Sequence, residues 1–367
     1  MNILYITNHL NIGGITSYIL TLSAGLRKRG HNVLLASSGG ELLSKFKDLG
    51  VVFIPIPIRT KSEISPGIAL SVIKLSKIIR ENKIDILHTH SRTTQVLGCF
   101  LHKFCGVKHI STCHGFFKRR LSRWIFPCWG ERTIAISEQV KEYLMKDFKV
   151  KPEKINVIHN GIDLKKFQRP TIEDKQSAKR ALRLDSNPTI GIVARLSDVK
   201  GHKYLIQAMG VVLGEYPRAL LLIVGEGKMK DELIKLSETL GINKSVIFSP
   251  EIYDTIDVLS AMDIFVMPSL KEGLGLALME AMACGLAVIG SDIGGIRSLI
   301  KDNFNGLLVK PRDTQALASA ILGLLKNPQK SYSFAEAARN FITNNFSQEK
   351  MVLETERVYL ECLNEAH

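Results

Sequence analysis

Two glutamates stand eight residues apart across a glycine-rich turn, a spacing that suits the binding of hydroxyl groups. Glu272 precedes the turn, and Glu280 lies after it in an apolar stretch with helical spacing. A helix start offers unpaired backbone N–H groups and a partial positive charge, so Gly275 and Leu276 could hold a phosphate. A carboxylate can accept two hydroxyl protons at once, so Glu280 could bind a vicinal diol such as a ribose and Glu272 the hydroxyls of a sugar. The alternative is a surface turn with one solvated glutamate and a helix that carries a second.

Two cations follow another predicted strand of the same half. The strand TIGIVA, 189–194, is followed at once by Arg195 and then by Lys200 and Gly201. Side chains just past a parallel strand point into the crevice where ligands collect in open α/β sheets. Arg195 could chelate phosphate oxygens through two bonds, and Lys200 would add a mobile charge. The alternative is a solvated charged loop.

The first half of the chain also has glycines and histidines at the ends of predicted strands. The pair Gly13-Gly14 follows a strand at 2–7, and it could let the backbone approach a diphosphate or could only form a tight turn. The run IDILHTHS brings His88 and His90 to the end of a later strand, and HISTCHG brings His114 to the end of the next. A purely structural role is the alternative for a histidine in such a loop.

These residues need a scaffold of alternating strands and helices. Short apolar runs alternate with helical patterns along the whole chain, which predicts parallel sheets in an α/β fold. The chain has 367 residues. Single cores stop growing near ~250 residues, so two domains are expected. The polar, proline-punctuated stretch 168–188 is predicted to link them, and a last helix, 348–363, has one apolar face.

The composition excludes several classes of protein. With 45% hydrophobic and 23% charged residues, it is that of a soluble globular chain. The sequence has no apolar run of the ~18 residues that a membrane helix needs, and its start has no basic region before an apolar run. The six cysteines form no C-x-x-C pair, so reduced thiols in a cytoplasmic protein are expected. No D-x-D sequence occurs, which counts against a metal-dependent sugar-nucleotide site.

The charge is distributed unevenly along the chain. The net charge is +14, and residues 1–169 alone carry 27 Lys and Arg against 11 Asp and Glu. The remaining residues carry 22 against 24 and are nearly neutral. A basic first half indicates an anionic partner such as a lipid headgroup, a phosphorylated glycolipid or a nucleic acid.

The segment 116–129, FFKRRLSRWIFPCW, joins four cations to five aromatic residues. This composition is typical of a segment that lies in a membrane interface. Pro127 limits any helix to a few turns, and a tryptophan on a helix is often part of a core, which is the alternative. The residues predicted to contact an acceptor or an anionic membrane surface are Lys118, Arg119, Arg120, Arg123 and Trp124.

The stretch 269–290 resembles the E-x7-E signature of retaining glycosyltransferases with the GT-B fold, in glycosyltransferase family 4. Three further motifs carry the resemblance. Residues 195–201 follow the G-R-x4-K-G pattern of the family, with Ala194 in place of the usual glycine. His114 and the glycine after it match a His-Gly hallmark, and the run NGID, 160–163, matches the family's interdomain crossing.

The resemblance implies a fold of the α/β class, GT-B, in which two Rossmann-like β/α/β domains face a central cleft. Residues 1–169 would form the N-terminal, acceptor-binding domain, and the C-terminal helix, 346–367, would cross back to pack on it. Residues 170–345 would form the C-terminal, donor-binding domain.

The resemblance also implies roles for individual residues. His114 would face the donor sugar, and Arg195 and Lys200 would stabilise the leaving diphosphate together with the helix start. These three and Glu272 are the predicted catalytic residues, and Ile252 lies in the loop where the family holds the base. The residues predicted to bind the donor are Gly13, Gly14, Asn160, Gly161, Arg195, Lys200, Gly225, Ile252, Glu272, Gly275, Leu276 and Glu280.

The implied reaction moves a sugar from a UDP- or GDP-linked donor to a glycan or lipid-linked acceptor, with retention of configuration and no metal or cofactor. Such reactions build cell-envelope polysaccharide, lipopolysaccharide or glycolipid. The protein is expected in the cytoplasm, bound peripherally to the inner face of the membrane. No nucleic-acid motif appears, so no nucleic-acid partner is expected. Two alternatives stay open: a UDP-sugar 2-epimerase of the same fold, and a non-catalytic scaffold for an anionic ligand.

Overall fold

The computed structural model describes residues 1–58, 65–117, 123, 125–184, 186–250, 252 and 254–365. The chain forms two compact units. The N-terminal unit contains residues 1–161 and the segment from Gln348 onward, and the C-terminal unit contains Ile162–Ser347. Among the described residues, every helix is too short or too polar to span a bilayer.

The N-terminal unit is built on a parallel seven-stranded sheet with the order β3-β2-β1-β4-β5-β6-β7. The strands are β1 Asn2–Ile6, β2 Asn32–Ser37, β3 Val52–Pro55, β4 Ile86–Thr89, β5 Lys108–Cys113, β6 Arg132–Ala135 and β7 Ile155–Val157. The helices described in this unit are Gly14–Lys28, Leu43–Asp48, Pro66–Glu81, Arg92–Cys105, Glu138–Phe148 and Gln348–Asn364, with a 3₁₀ turn at Pro152–Lys154.

The C-terminal unit is built on a parallel six-stranded sheet with the order β10-β9-β8-β11-β12-β13. The strands are β8 Thr189–Val193, β9 Leu220–Val224, β10 Val246–Ser249, β11 Ile264–Met267, β12 Ala287–Ser291 and β13 Leu307–Val309. The helices described here are Ile172–Ala181, His202–Glu215, Lys230–Thr239, Ile256–Ser260, Leu276–Ala283, Gly294–Arg297, Thr314–Lys326 and Pro328–Asn345, with 3₁₀ turns at Asp198–Lys200 and Asn243–Ser245.

Both sheets reverse their strand order beside the first strand of the unit. In the N-terminal unit β1 pairs with β2 on one side and with β4 on the other. In the C-terminal unit β8 pairs with β9 on one side and with β11 on the other. Ligands of open α/β sheets bind at such a reversal, outside the carboxyl ends of the strands. A binding site is therefore expected in the loops after β1, β4, β8 and β11.

The C-terminal helix, Gln348–Asn364, packs on the helix Gly14–Lys28 of the N-terminal unit. Tyr359 is buried in this interface, and its hydroxyl lies 3.3 Å from that of Tyr5. The Glu356 carboxylate binds Arg29 at 2.6 Å. This arrangement confirms the prediction that the last helix crosses back to the first half of the chain.

The stretch predicted as a linker, 168–188, belongs to the C-terminal unit. Its helix, Ile172–Ala181, begins with a capping box in which Thr171 and Asp174 satisfy each other's backbone N–H groups. Lys179 then donates to the carboxylate of Asp263 at 2.8 Å. Polar side chains of this stretch pair with residues of the same unit. The chain passes from one unit to the other after Gly161, and not within the predicted linker.

Candidate active site

The loops after β8 and β11 pack directly against each other. Gly201 adopts a left-handed conformation with φ 74°, and a Cβ there would lie 1.9 Å from the carbonyl oxygen of Pro268. The Leu270 N–H donates to the Val199 carbonyl oxygen at 2.7 Å. Only glycine allows this approach without strain, so the K-G pair of the sequence fixes the distance between the two loops.

This packing brings two predicted catalytic residues together. The Lys200 ammonium donates to the Glu272 carboxylate, and the two side chains are only 21% and 14% exposed. A charge-assisted hydrogen bond with little solvent around it is stronger than an exposed ion pair. Each of the two charges therefore neutralises the other.

The helix Leu276–Ala283 begins beside this pair. Gly275 is its N-cap, with φ 97° and no capping side chain. The first intrahelical bond runs from the Met279 N–H to the Gly275 carbonyl oxygen at 3.1 Å. Without a capping side chain, the first N–H groups of the helix are suited to an anion, as the sequence predicts.

Glu280 lies further along the same helix and is only partly exposed. The Thr255 hydroxyl donates to its carboxylate at 2.8 Å. Burial raises the pKa of Glu280 to about 7, against the opposing effects of the Thr255 hydrogen bond and of Lys166. A sizeable fraction of Glu280 is therefore protonated near neutral pH. Sequence reasoning missed Thr255, because this partner comes from the preceding helix, 25 residues away.

Three other predicted donor-binding residues lie in or beside loops of the same unit. Arg195 is exposed and makes no hydrogen bond or ion pair with any residue that the structure describes. Gly225 lies against the end of β8, since a Cβ there would be 2.2 Å from the Ala194 carbonyl oxygen. Ile252 is partly buried, between two positions outside the described residues. The loop assigned to the base is thus only partly described.

In the N-terminal unit, the glycine pair opens the first helix. Gly13 is the N-cap of Gly14–Lys28, and the Ser17 N–H donates to its carbonyl oxygen at 3.0 Å. No described heavy atom lies within 4 Å of the place where a Gly13 Cβ would stand. The backbone here is open to close approach by another group.

His114 is held by a second histidine at the end of β4. His90 Nδ1 lies 3.1 Å from His114 Nε2, and one of these nitrogens carries the shared proton. Burial lowers the pKa of His114 to about 3, so the ring is neutral at physiological pH. Its second nitrogen can then offer or accept one hydrogen bond without bringing a charge. Sequence reasoning placed His90 at this strand end but gave it no role.

The neighbouring His88 belongs to the structural interior. Its Nδ1 lies 2.5 Å from the Tyr359 hydroxyl, and its Nε2 lies 2.7 Å from the Thr112 hydroxyl. Both ring nitrogens are thus occupied, and burial lowers the pKa of His88 well below its usual value. This histidine ties the C-terminal helix to the strand that carries His90.

Asn160 and Gly161 close the N-terminal unit. The Gly161 N–H donates to the sulfur of Met351 at 3.1 Å. Asn160 is buried, and its Oδ1 has no hydrogen-bond partner among the described residues. Their roles in donor binding stay predictions.

Four of the five residues predicted to contact an acceptor or a membrane lie outside the described part of the chain. These are Lys118, Arg119, Arg120 and Trp124. Arg123 is described, and its buried guanidinium stacks 4.2 Å from the centre of the Phe117 ring. Its predicted contact with an acceptor or a membrane stays untested. Within the described part of the chain, no group of three or more His, Cys, Asp or Glu side chains could hold a metal ion.

Comparison with known proteins identifies the family. The model of the family "Glycosyl transferases group 1" matches residues 174–341, and that of "Glycosyltransferase Family 4" matches residues 12–166. The chain is 30% identical to the UDP-Gal:alpha-D-GlcNAc-diphosphoundecaprenol alpha-1,3-galactosyltransferase of Escherichia coli over 90% of this chain and 89% of the relative. The chain belongs to glycosyltransferase family 4.

Two further comparisons bear on this glycosyltransferase. It is 29% identical to the GDP-mannose-dependent monoacylated alpha-(1-6)-phosphatidylinositol monomannoside mannosyltransferase of Corynebacterium glutamicum, over 76% of each chain. The structure of Anabaena HepE in complex with UDP and glucose covers 97% of this chain and 98% of its own, with a TM-score of 0.86 and 21% identity. The fold is GT-B, as the resemblance implied.

Proposed function

We propose that this family 4 glycosyltransferase moves a sugar from a UDP- or GDP-linked donor to a lipid-linked acceptor, with retention of configuration and without a metal ion. The observation that carries the proposal is the Lys200–Glu272 pair beside the uncapped helix start at Gly275. This constellation lies at the strand reversal of the C-terminal unit, where one cation, one carboxylate and backbone N–H groups meet.

The diphosphate would be held by Lys200, by Arg195 and by the N–H groups after Gly275. A diphosphate carries more negative charge than one carboxylate, so it would draw Lys200 away from Glu272. Glu272 would then accept hydrogen bonds from the sugar hydroxyls. Donors aimed at a developing negative charge typically contribute ~3 kcal/mol each to catalysis, which is about 100-fold in rate.

The chemical step needs no nucleophile from the protein. The acceptor hydroxyl oxygen bonds to the anomeric carbon on the face from which the diphosphate departs. The bond between that carbon and the phosphate oxygen breaks, with its electron pair moving to the oxygen, and this oxygen takes the hydroxyl proton. The neutral His114 would hold a sugar hydroxyl.

A lipid-linked acceptor is supported by the relatives and by the charge. The E. coli relative is named for a diphosphoundecaprenol substrate, and the C. glutamicum relative for a phosphatidylinositol monomannoside. The excess of 27 basic over 11 acidic residues in 1–169 suits an anionic headgroup. We therefore place the enzyme at a membrane surface, bound peripherally to its inner face.

A panel of labelled UDP- and GDP-sugars, incubated with the purified enzyme and a lipid extract, tests the proposal. We expect one donor to pass its label to the lipid fraction, with unchanged yield in EDTA and the same anomeric configuration in product and donor. A conversion of the nucleotide-sugar without acceptor would instead identify a 2-epimerase. Binding of a nucleotide-sugar without any turnover would identify a scaffold, and either result would overturn the proposal.

A further inference from the structure

The N-terminal unit carries an apolar groove of about 890 Å³ on its outer side. The groove runs between the helix Pro66–Glu81 and the helix Arg92–Cys105, and Ile125 and Phe126 line it as well. Its walls from the two helices include Ile68, Val72, Ile73, Val96, Phe100 and Phe104. The roles assigned above to the N-terminal unit use none of these side chains.

Several of these side chains are exposed to a degree that a folded chain normally avoids. Ile73 is 71% exposed, Phe104 62% and Ile125 66%. A contiguous apolar patch of large side chains on one face marks a surface that binds an apolar partner. The inner wall of the groove belongs to the core of the unit, because Ile68 and Val96 are buried in it, whereas Ile73, Phe104 and Ile125 project beyond that core.

One end of the groove reaches the carboxyl edge of the sheet. Ser65 and Pro66 line the groove, and Ser65 caps the helix that begins there. Arg92 is two residues after His90 in the chain. Its guanidinium donates to the Phe126 carbonyl oxygen at 2.8 Å, which anchors the wall that Ile125 and Phe126 form. A long molecule lying in the groove would therefore have one end at the carboxyl edge of the sheet, the edge that also carries His90 and His114 after β4 and β5.

The surroundings of the groove are basic. Lys74, Lys77 and Lys103 are exposed on the two helices that form the walls. Lys77 pairs with Glu81 at 3.7 Å, which leaves Lys74 and Lys103 as the uncompensated charges of this face among the described residues. An apolar channel with a basic surround is complementary to an anionic amphiphile, whose chain and headgroup need these two environments.

We propose that this groove binds the hydrocarbon chain of the lipid that carries the acceptor, while the basic surround holds its anionic headgroup. The inference rests on the proposed function, because a lipid-linked acceptor supplies the chain. The groove then does more than attach the enzyme to a membrane. It orients the acceptor so that its sugar end points to the carboxyl edge of the sheet.

Alkyl phosphates test the groove without the transfer reaction. Dodecyl phosphate and butyl phosphate share a headgroup and differ in chain length, and dodecyl maltoside has the chain without the charge. We expect calorimetry to show dodecyl phosphate binding to the wild type more tightly than either of the other two. Equal affinity for the two phosphates would overturn the proposal, because the chain would then contribute nothing.

Neighbouring substitutions on one helix provide matched variants. Ala69 lines the groove and is exposed, so Ala69→Trp fills the groove without disturbing the core. Leu70 is 60% exposed and does not line the groove, so Leu70→Trp is the control. Because displacing only two CH₂ groups of the chain from the groove already costs about tenfold, we expect A69W to weaken dodecyl phosphate binding by about tenfold or more, and L70W to leave it unchanged.

The same variants separate the possible occupants. Equal effects of A69W and L70W on dodecyl phosphate binding would overturn the proposal. So would a wild-type dimer in sedimentation experiments that A69W converts to monomer, since the groove would then join two copies of the chain. Sugar transfer that fails while dodecyl phosphate still binds in the groove would sink the proposed function but not the groove.

Discussion

At the scale of the single residue, burial favours the protonated form of Glu280, whereas binding of a ribose would favour the ionised form. Burial raises its pKa to about 7, so the unliganded enzyme keeps part of it protonated. A carboxylate accepts two hydroxyl protons, whereas a protonated carboxyl has one oxygen occupied by its own proton. Binding of a ribose should therefore favour the ionised form and expel the proton.

We expect UDP or GDP to bind more tightly as the pH rises from about 6 to about 8, because the free enzyme then already has the ionised Glu280 that the ribose needs. Near pH 6 binding should release close to one proton, which calorimetry in buffers of different ionisation enthalpy detects. The nucleotide phosphate also titrates near pH 6, and Glu280→Gln keeps that contribution while it removes the carboxyl. Identical proton release in the wild type and E280Q would contradict the assignment of Glu280.

The sequence could group candidate residues only where they are close to one another along the chain. Glu272, Gly275 and Glu280 belong to one turn and helix, so their grouping was readable from the sequence. The partners of Glu280 and His114 were not readable. Thr255 and His90 reach them from other elements, and only the fold brings them into contact.

At the scale of elements, short apolar runs predicted the strands, and polar contacts decide where the elements begin. The run IDILHTHS starts at residue 84, but the strand begins at Ile86, because the Ile84 N–H bonds to the Ile79 carbonyl oxygen at the end of the preceding helix. The helix Pro66–Glu81 begins at Pro66, since the Ser65 hydroxyl accepts from the Gly67 N–H at 3.2 Å. Hydrophobic periodicity cannot register such polar contacts.

The C-terminal helix depends on a close approach at Gly25. A Cβ at this position would lie 2.3 Å from Val352 Cγ2, so Gly25→Ala should lower the free energy of unfolding by ~1–3 kcal/mol through overpacking. Val352→Ala removes the clashing methyl groups, so the double variant should lose less than the sum of the single variants. Urea denaturation followed by tryptophan fluorescence measures this, since both tryptophans of the chain fall within the sequence of the N-terminal unit.

Gly323→Ala is the matched control for this helix contact. Gly323 also lies inside a helix, Thr314–Lys326, but no described heavy atom lies within 4 Å of its Cβ position. Alanine is the better helix former there by ~0.5–1 kcal/mol, so this variant should be stabilised. Urea denaturation followed by far-ultraviolet circular dichroism measures it, because Gly323 belongs to the C-terminal unit and both tryptophans to the sequence of the other. An equal change in the free energy of unfolding for G25A and G323A would show that the close approach of the C-terminal helix at Gly25 does not restrict the side chain there.

At the scale of the whole molecule, the two units repeat one plan. Each has candidate residues after the two strands that flank the reversal of its sheet, and His114 follows the next strand, β5. Length predicted two domains, and the alternation of strand and helix patterns predicted the α/β class. The resemblance implied a first boundary at 169, whereas the compact units divide after Gly161. The Ile162 N–H donates to the Phe346 carbonyl oxygen at 2.8 Å, which joins the two passages of the chain within the C-terminal unit.

Charge is a second property of the whole chain. Residues 1–169 carry the excess of positive charge, whereas the half with most of the predicted donor residues is nearly neutral. This division suits an enzyme that binds a small nucleotide-sugar in one unit and an anionic lipid surface with the other. The proposed groove adds an apolar component on the basic side.

The most direct measurement of the central claim is the rate of sugar transfer by Lys200→Ala beside Lys228→Ala. Lys200 pairs with Glu272 in the candidate site, whereas Lys228 pairs with Asp198 on the surface, with the two side chains 73% and 65% exposed. We predict that K200A lowers kcat/KM by about 100-fold or more and that K228A leaves it within about twofold of the wild type. A K200A enzyme that folds normally and transfers sugar at the wild-type rate would contradict the account.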